Sequence, residues 1–425
     1  MKKPAVILMC LCMMVIGVAG CNKKSSQETF INSYGGEHAI DIDNQTTTYE
    51  NIVVKKTGDS DGDDADFFGT NAAVYAQNGG ILKIKDSEIQ TDGRHANAVF
   101  AYGEKSAIEI SDSAINTAGD NSGGIMVTGG GTITASNLTI ETKGRSSAAI
   151  RSDRGGGIIN VTGGEYSSYG SGSPAIYSTA DITVTNANLY SDVSEAVVIE
   201  GKNSVTLNNV NASGKNSVQN SNNTVKKKAV MVYQSMSGDA SEGKGRFTMN
   251  GGKLESLEGG IFYVTNTIAD ISLKKVELKC ATDDLLSVEK AGWGNEGSNG
   301  GQVNFAASEQ KLEGVITVDE ISRANIILEN NSTFTGQISS DGKTFVSLDE
   351  TSTWSLTGDS EISELNCTAK TINLNGYTLK VNGQVYKEGI ESKGEQIEFE
   401  IPKMGDGMPP EPPKDGNALP PKKPD

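Results

Sequence analysis

Residues 147–170 read SAAIRSDRGGGIINVTGGEYSSYG, and relatives of this stretch recur before and after it. It holds a short apolar segment at Ile150, an apolar–x–apolar triplet at Ile159 and Val161, and a third apolar position at Tyr166. The first position returns as Val74, Val99, Ile125, Ile150, Ile176, Val197, Val230, Ile261 and Leu286, at intervals of 21 to 33 residues. Alternation over so few residues predicts short half-buried strands, and repetition at this period predicts a solenoid.

The triplet is sharper. It returns as Leu82/Ile84, Ile108/Ile110, Ile182/Val184, Val205/Leu207, Phe247/Met249, Ile271/Leu273, Val303/Phe305, Ile326/Leu328, Trp354/Leu356 and Ile372/Leu374. Two residues later stand Asp86, Asp112, Gly163, Asn186, Asn209, Gly251, Asn330, Gly358 and Gly376, types that tolerate left-handed backbone, with only Lys275 and Ala307 breaking the pattern. The third position returns as Ile89, Ile115, Leu189, Leu254, Leu278 and Leu379. The expectation is an all-β, right-handed parallel β-helix of about 12 three-strand rungs, roughly 55–60 Å long at ~4.8 Å per strand.

Phrases such as AAIRSDRGGG, SPAIYSTADITVTNANL and VVIEGKNSVTL resemble the pectate-lyase-like parallel β-helices, and in particular the adhesin-like, carbohydrate-binding surface lipoproteins of bacteria built on that fold. The resemblance covers about residues 70–385. Repeats of this kind specify a fold far better than an activity.

Outside the repeats, Lys2 and Lys3, an apolar run from Ala5 to Val18 and small residues before Cys21 predict a lipoprotein signal peptide over 1–20. Cys21 after Ala19-Gly20 resembles a lipobox, which implies a lipidated mature N-terminus and a polar tether over 21–29. The protein is therefore expected to be exported and held on the bilayer at the bacterial cell surface or envelope. A cap is expected over 30–69, the β-helix over 70–386, and a C-terminal extension over 387–425 whose proline-rich tail begins at Pro402. Eight of the ten prolines lie there, leaving the body free to make ladders. Cys280 and Cys367 fall on separate coils and are expected as free thiols. The formal net charge of −17 argues against a nucleic-acid partner.

Several clusters are candidate sites. GDSDGDDAD, 58–66, puts Asp59, Asp61, Asp63, Asp64 and Asp66 in one loop, and Asp92 and Asp120 occupy the same corner of later coils. Stacked carboxylates of this kind suggest Ca²⁺, although the spacing is not that of an EF-hand, and a solvated acidic turn is the simpler alternative.

One residue after the first apolar position stand Tyr75, Phe100, Met126, Arg151, Tyr177, Val198, Met231 and Phe262. If the aliphatic residues point inward, this stripe faces outward, and Tyr75, Phe100, Tyr177 and Phe262 suit the flat faces of a polysaccharide. The opposite parity would put them inside.

Irregular corners at 211–228, 235–246 and 290–301 interrupt the coils, and the last carries Trp293, either a sugar-stacking platform or a lid over its own coil. Lys226–Lys228 read as a solvated loop, and Trp354 as core.

Polysaccharide lyases on the resembled fold use Ca²⁺-holding carboxylates and a basic proton acceptor, roles that would fall to Asp153 and to Arg151 or Arg154 in RSDR, 151–154. Solvated charge at a glycine-rich corner is the simpler reading of that cluster. The sequence thus favours a non-catalytic carbohydrate-binding or adhesin-like surface protein. A calcium-dependent lyase and a structural or protein-binding surface protein are the alternatives.

Overall fold

The computed structural model describes residues 27–62, 64–216 and 226–400. The expected signal peptide, Cys21, Asp63 and the tail from Pro402 lie outside the described residues. Among the described residues the one α-helix is a single turn, Asp64–Phe67, and no helix is long and apolar enough to cross a membrane.

Everything else regular is strand, in long parallel sheets consistent with a β-solenoid. One sheet has fourteen strands, from Ile40–Asp43 to Ile372–Asn373. In it Val74, Val99, Ile125, Ile150, Ile176, Val197 and Val230 stand directly beside one another. The triplets stack as a second ladder and the third positions as another, both in the 22-stranded sheet. The inward side chains merge into one continuous apolar core.

The register corrects the sequence reading in several places. Val230 pairs with Phe262, and Phe262 with Leu286, so Phe262 rather than Ile261 is the inward residue. Alternation could not set this, because Ile261, Phe262, Tyr263 and Val264 form an unbroken apolar run. Phe262 packs inside against Phe247 and Phe305, not on an outer ladder. Ile133/Ala135 and Ile140 complete the coil that the apolar pattern skipped. Leu273 pairs with Ala307, which makes Phe305/Ala307 the true triplet and Glu309, at φ +51°, the corner.

Beyond Ser308 the coil loses its third strand. Trp354/Leu356 and Ile372 therefore belong to the fourteen-stranded sheet, while the triplet ladder runs on through Val346 and Leu365. Trp354 is fully buried as expected. Leu379 leaves the third ladder for a small separate sheet with Ser360–Ile362.

The stack also begins earlier than residue 70. Glu28–Asn32 pairs with Ile52–Lys56, and residues 40–56 already supply strands that pair with the coil of Val74. At the other end Ser392–Lys393 pairs antiparallel with Asn366–Cys367. The chain then crosses earlier coils, held by Asn325, Arg323 and Gln302 as far as Glu400. Much of the expected extension from 387 is thus bound to the stack. Cys280 and Cys367 are free thiols.

The corners explain the composition. Asp86, Asp112, Asn137, Gly163, Asn186, Asn209, Gly251 and even Lys275 all have φ between +49° and +69°. A second corner stacks Gly93, Gly119, Gly144 and Gly170. A Cβ on Gly144 would lie 1.9 Å from the Gly119 carbonyl oxygen, and one on Gly170 1.7 Å from that of Gly144. Beside this column runs a serine ladder. The Ser122 N–H donates to the Ser147 hydroxyl at 2.9 Å, and the Ser147 N–H to that of Ser173 at 2.8 Å.

Candidate functional site

Strand alternation puts Tyr75, Phe100, Met126, Arg151, Tyr177, Val198 and Met231 in one register line on the outer face of the fourteen-stranded sheet. Tyr263, not Phe262, continues it. The expected outward parity therefore describes this line, but most of it is covered.

The covering segment is the loop after Gly58. It carries the helix Asp64–Phe67 back over the sheet, and Phe68 packs with Tyr75, Phe100, Tyr102 and Met126 in a cluster separate from the core. The Tyr75 hydroxyl donates to the Phe68 carbonyl at 2.6 Å, and that of Thr128 to the Phe67 carbonyl at 2.7 Å. Gly69, at φ +70°, lies so close that a Cβ there would sit 2.7 Å from the Tyr75 ring and 2.8 Å from that of Phe100. His38 stacks on Tyr75, centroids 4.3 Å apart. Tyr75 and Phe100, expected as a sugar-facing ladder, are buried beneath the chain's own N-terminal loop.

The same loop explains RSDR. Asp66, on the helix, places Oδ1 3.3 Å from Arg151 Nη1, while Arg151 Nη2 donates to Asp153 at 3.1 Å. His95 Nδ1 stands 3.1 Å from the other Asp66 oxygen, and the Asn121 amide 3.2 Å from His95 Nε2. A proton on Nδ1, donated to Asp66, leaves Nε2 to accept from Asn121. Arg151 is buried; burial alone would lower its pKa, but Asp66 and Asp153 raise it above the usual arginine value. Held protonated in this way, it is a poor proton acceptor. Arg154 places its guanidinium 3.9 Å over the Phe67 ring and donates from Nε to Asp239 at 3.1 Å. Apart from half-exposed Arg154, the cluster read as solvated charge is a buried clamp that holds the loop down.

The acidic residues do not converge. The Arg94 N–H donates to Asp59 at 2.8 Å, and the Arg94 guanidinium meets Asp61 at 2.5 Å. One coil on, Asp120 accepts from the Arg145 N–H at 2.8 Å. The corner therefore alternates Asp59, Arg94, Asp120 and Arg145, with Asp92 two residues out of line. Asp64 is exposed on the helix and Asp66 is taken by Arg151. Among the described residues no three acids, histidines or cysteines form a metal-holding group. The described members of the set therefore do not fit a calcium ion.

What remains accessible on the outer face of this sheet lies beyond the loop. Tyr177 and Tyr233 are half-buried, and their hydroxyls donate to one oxygen of Glu200 at 2.6 and 2.8 Å. Ser235 donates to the other oxygen from its hydroxyl and, at 3.3 Å, from its N–H. Burial raises the Glu200 pKa, partly offset by these donors, and burial beside Glu200 raises both phenols.

The corners at 235–246 and 290–301 meet here. Trp293 Nε1 donates to the Gln234 carbonyl at 2.9 Å, and its ring stands edge-to-face with Tyr233 at 6.0 Å. Trp293 is half-buried against its own coil while closing one side of this aromatic patch. A small cleft of about 250 Å³ is lined by Gly155, Gly156 and Gly157, by Thr179 and Lys202, two residues past Tyr177 and Glu200 respectively, and by Asp239.

Tyr233, Glu200 and Asp239 were not singled out from the sequence. The available signal was a carboxylate closing the apolar strand VVIE, 197–200. Lys228, expected in a solvated loop, is buried and paired with Asp284, while Lys226 meets Glu289 at 2.6 Å.

Compared with known proteins, the chain matches no family model and no curated protein.

Proposed function

We propose that this chain is an exported, lipid-anchored surface protein that binds polysaccharide without transforming it. We read its stack as a right-handed β-helix of the pectate-lyase-like kind, handed by the general preference of parallel crossovers. The observation that carries the functional reading is a patch of three half-buried aromatics, Tyr177 and Tyr233 hydrogen-bonded to the carboxylate of Glu200 and Trp293 edge-to-face against Tyr233. Rigid aromatic edges beside fixed hydrogen-bonding groups suit a sugar, which has apolar ring faces and polar rims. Arg154, Lys202 and Asp239 continue the patch with polar groups.

Binding is favoured over the lyase alternative because Arg151 is buried between two carboxylates, and Arg154 is engaged by Asp239 and by the Phe67 ring. The test is retention of the protein on a panel of insoluble polysaccharides, with Ca²⁺ or with a chelator, while ultraviolet absorbance is followed for unsaturated product. Retention without product, lost in Trp293→Ala, supports the reading. Product formation overturns it, and absence of retention across the panel leaves the protein-binding surface protein as the better account.

A further inference from the structure

The third ladder of strands stops abruptly. Glu277–Cys280 pairs with Lys253–Ser256 on one side, and among the described residues no strand pairs with its other edge. The next segment in line is the start of Lys311–Val318. That strand pairs with Thr333–Ser340 along its whole length, but joins the preceding coil only through Asp284 and the residues after it. Between the two edges lies a cleft of about 690 Å³, lined by Leu257, Ile261, Leu278, Cys280 and Leu285, with Lys311, Glu313 and Gly314 opposite.

Both ends of the cleft are pinned. At one end the Gln310 side chain imitates a strand: its Oε1 accepts from the Val276 N–H at 2.8 Å and its Nε2 donates to the Val276 carbonyl at 2.7 Å. At the other end the Val315 N–H donates to the Asp283 carbonyl at 2.6 Å. In a parallel ladder alternate residues direct their backbone groups to the same edge. The N–H and C=O of Leu278 and Cys280 therefore face the cleft with those of Val276. Lys311 and Glu313 face it from the other side, and the Lys311 carbonyl is already taken by Gln310. Leu278 is the consequence: Leu254 above it is fully buried, but Leu278 is only half-buried.

We propose that this cleft is a strand-addition site that takes an extended segment of another polypeptide, apolar at alternate positions and uncharged between them. Open strand edges recruit such segments through backbone hydrogen bonds, with side-chain pockets setting the sequence. The rim gives the charge preference. Glu277 meets Lys279 at 2.9 Å, Lys311 meets Glu313 at 2.6 Å and Lys253 meets Glu255 at 2.5 Å, so the flanking charges are neutralised in pairs along each strand. A second copy of the cleft is a poor occupant, since its edge strand Glu277–Cys280 is held along one side by its own coil. The chain's own segment after Glu400 is rich in proline, which cannot donate to a ladder.

The test uses the full chain and a short capped peptide of alternating threonine and leucine, with the same peptide N-methylated at its leucines as control. The readouts are amide hydrogen exchange at Leu278 and Cys280 and the alkylation rate of Cys280, mapped by mass spectrometry. The expected result is about tenfold slower exchange and alkylation with the unmodified peptide and no change with the methylated one. The proposal is overturned by equal protection from both peptides, by protection from neither at millimolar concentration, or by amides that already exchange as slowly as that of Leu254 in the free protein. Protection that grows with protein concentration alone would assign the cleft to a second copy, and amides that become exposed only when the chain ends at Glu400 would assign it to the tail. Either result overturns the proposal.

Discussion

Asp66 Oδ1 lies 3.3 Å from Arg151 Nη1, joining a helix of one turn to a strand 85 residues further along the chain. The contact closes the N-terminal loop over the outer face of the sheet, and Asp153 shares the same guanidinium. Arg151→Met strands two buried carboxylates, and the expected cost is about 3–5 kcal/mol in urea unfolding near neutral pH. The loop between Thr57 and Thr70 becomes sensitive to protease. The triple variant Asp66→Asn, Arg151→Met, Asp153→Asn recovers most of the loss, because it removes the charges together; if it is as unstable as the single variant, the clamp is not electrostatic.

One guanidinium between two buried acids neutralises only one of them, and this sets a pH dependence. Burial pushes the Asp153 pKa up to about 7 despite Arg151, with Asp239 and Asp66 adding to the rise. Asp66 goes the other way: burial is outweighed by Arg151 and His95, and its carboxyl is held below the usual range. An unfolded Asp153 loses its proton near ~3.9, so between there and about 7 the folded chain binds the extra proton and stability falls as pH rises, by up to ~1.4 kcal/mol per unit. The contribution of Asp66 has the opposite sign, present above the unfolded carboxylate value and lost as pH falls through its depressed folded value. Urea midpoints should therefore decline from about pH 5 to about pH 7 and level off above it. Asp153→Asn flattens part of that slope. Glu195 and Glu200, also raised by burial, keep the rest.

The fold was legible where strand alternation met a fixed period. Ile108/Ile110 and Ile182/Val184 could be stacked from spacing alone because the coils between Val74 and Ile176 have nearly the same length. The register of Phe262 was not legible, since four apolar residues in a row carry no parity. The change to a two-strand coil after Ser308 also hid, because Trp354/Leu356 has the triplet form in either sheet. In the candidate site the outer line was readable but its cover was not: nothing local in the spacing of Asp66 says that it crosses three coils to Arg151. Glu200 went unnoticed because its partners, Tyr177 and Tyr233, come from the two neighbouring coils.

The corners offer opposite tests of backbone strain. Lys275 holds φ +55° at a position where Asn186, Asn209 and Asn330 serve other coils. Lys275→Asn should stabilise by about 0.5–1 kcal/mol, read as a raised urea midpoint with unchanged slope. Gly144→Ala should do the reverse at a residue without unusual φ, because its new Cβ would meet the Gly119 carbonyl oxygen at 1.9 Å. A cost of at least about 2 kcal/mol is expected, since backbone stacked in register has no room to yield. A neutral Gly144→Ala would mean the column is looser than it stands.

Glu200 offers the most direct separation of stability from binding. Its carboxylate accepts from Tyr177, Tyr233 and the hydroxyl and N–H of Ser235, so Glu200→Gln turns an acceptor into a donor facing other donors. The expected loss is about 1–3 kcal/mol of folding stability, with weaker polysaccharide retention as the two tyrosines lose their anchor. Trp293→Phe should cost less, roughly 0.5–1.5 kcal/mol for the hydrogen bond to Gln234, because the aromatic ring against Tyr233 is kept. The chain has two tryptophans, and Trp354 is sealed in the core, so acrylamide-quenchable fluorescence comes from Trp293. Polysaccharide that shields this fluorescence in the parent chain, and does so more weakly after Glu200→Gln, places the sugar on the aromatic patch. Shielding that is unchanged by Glu200→Gln would place it elsewhere on the stack.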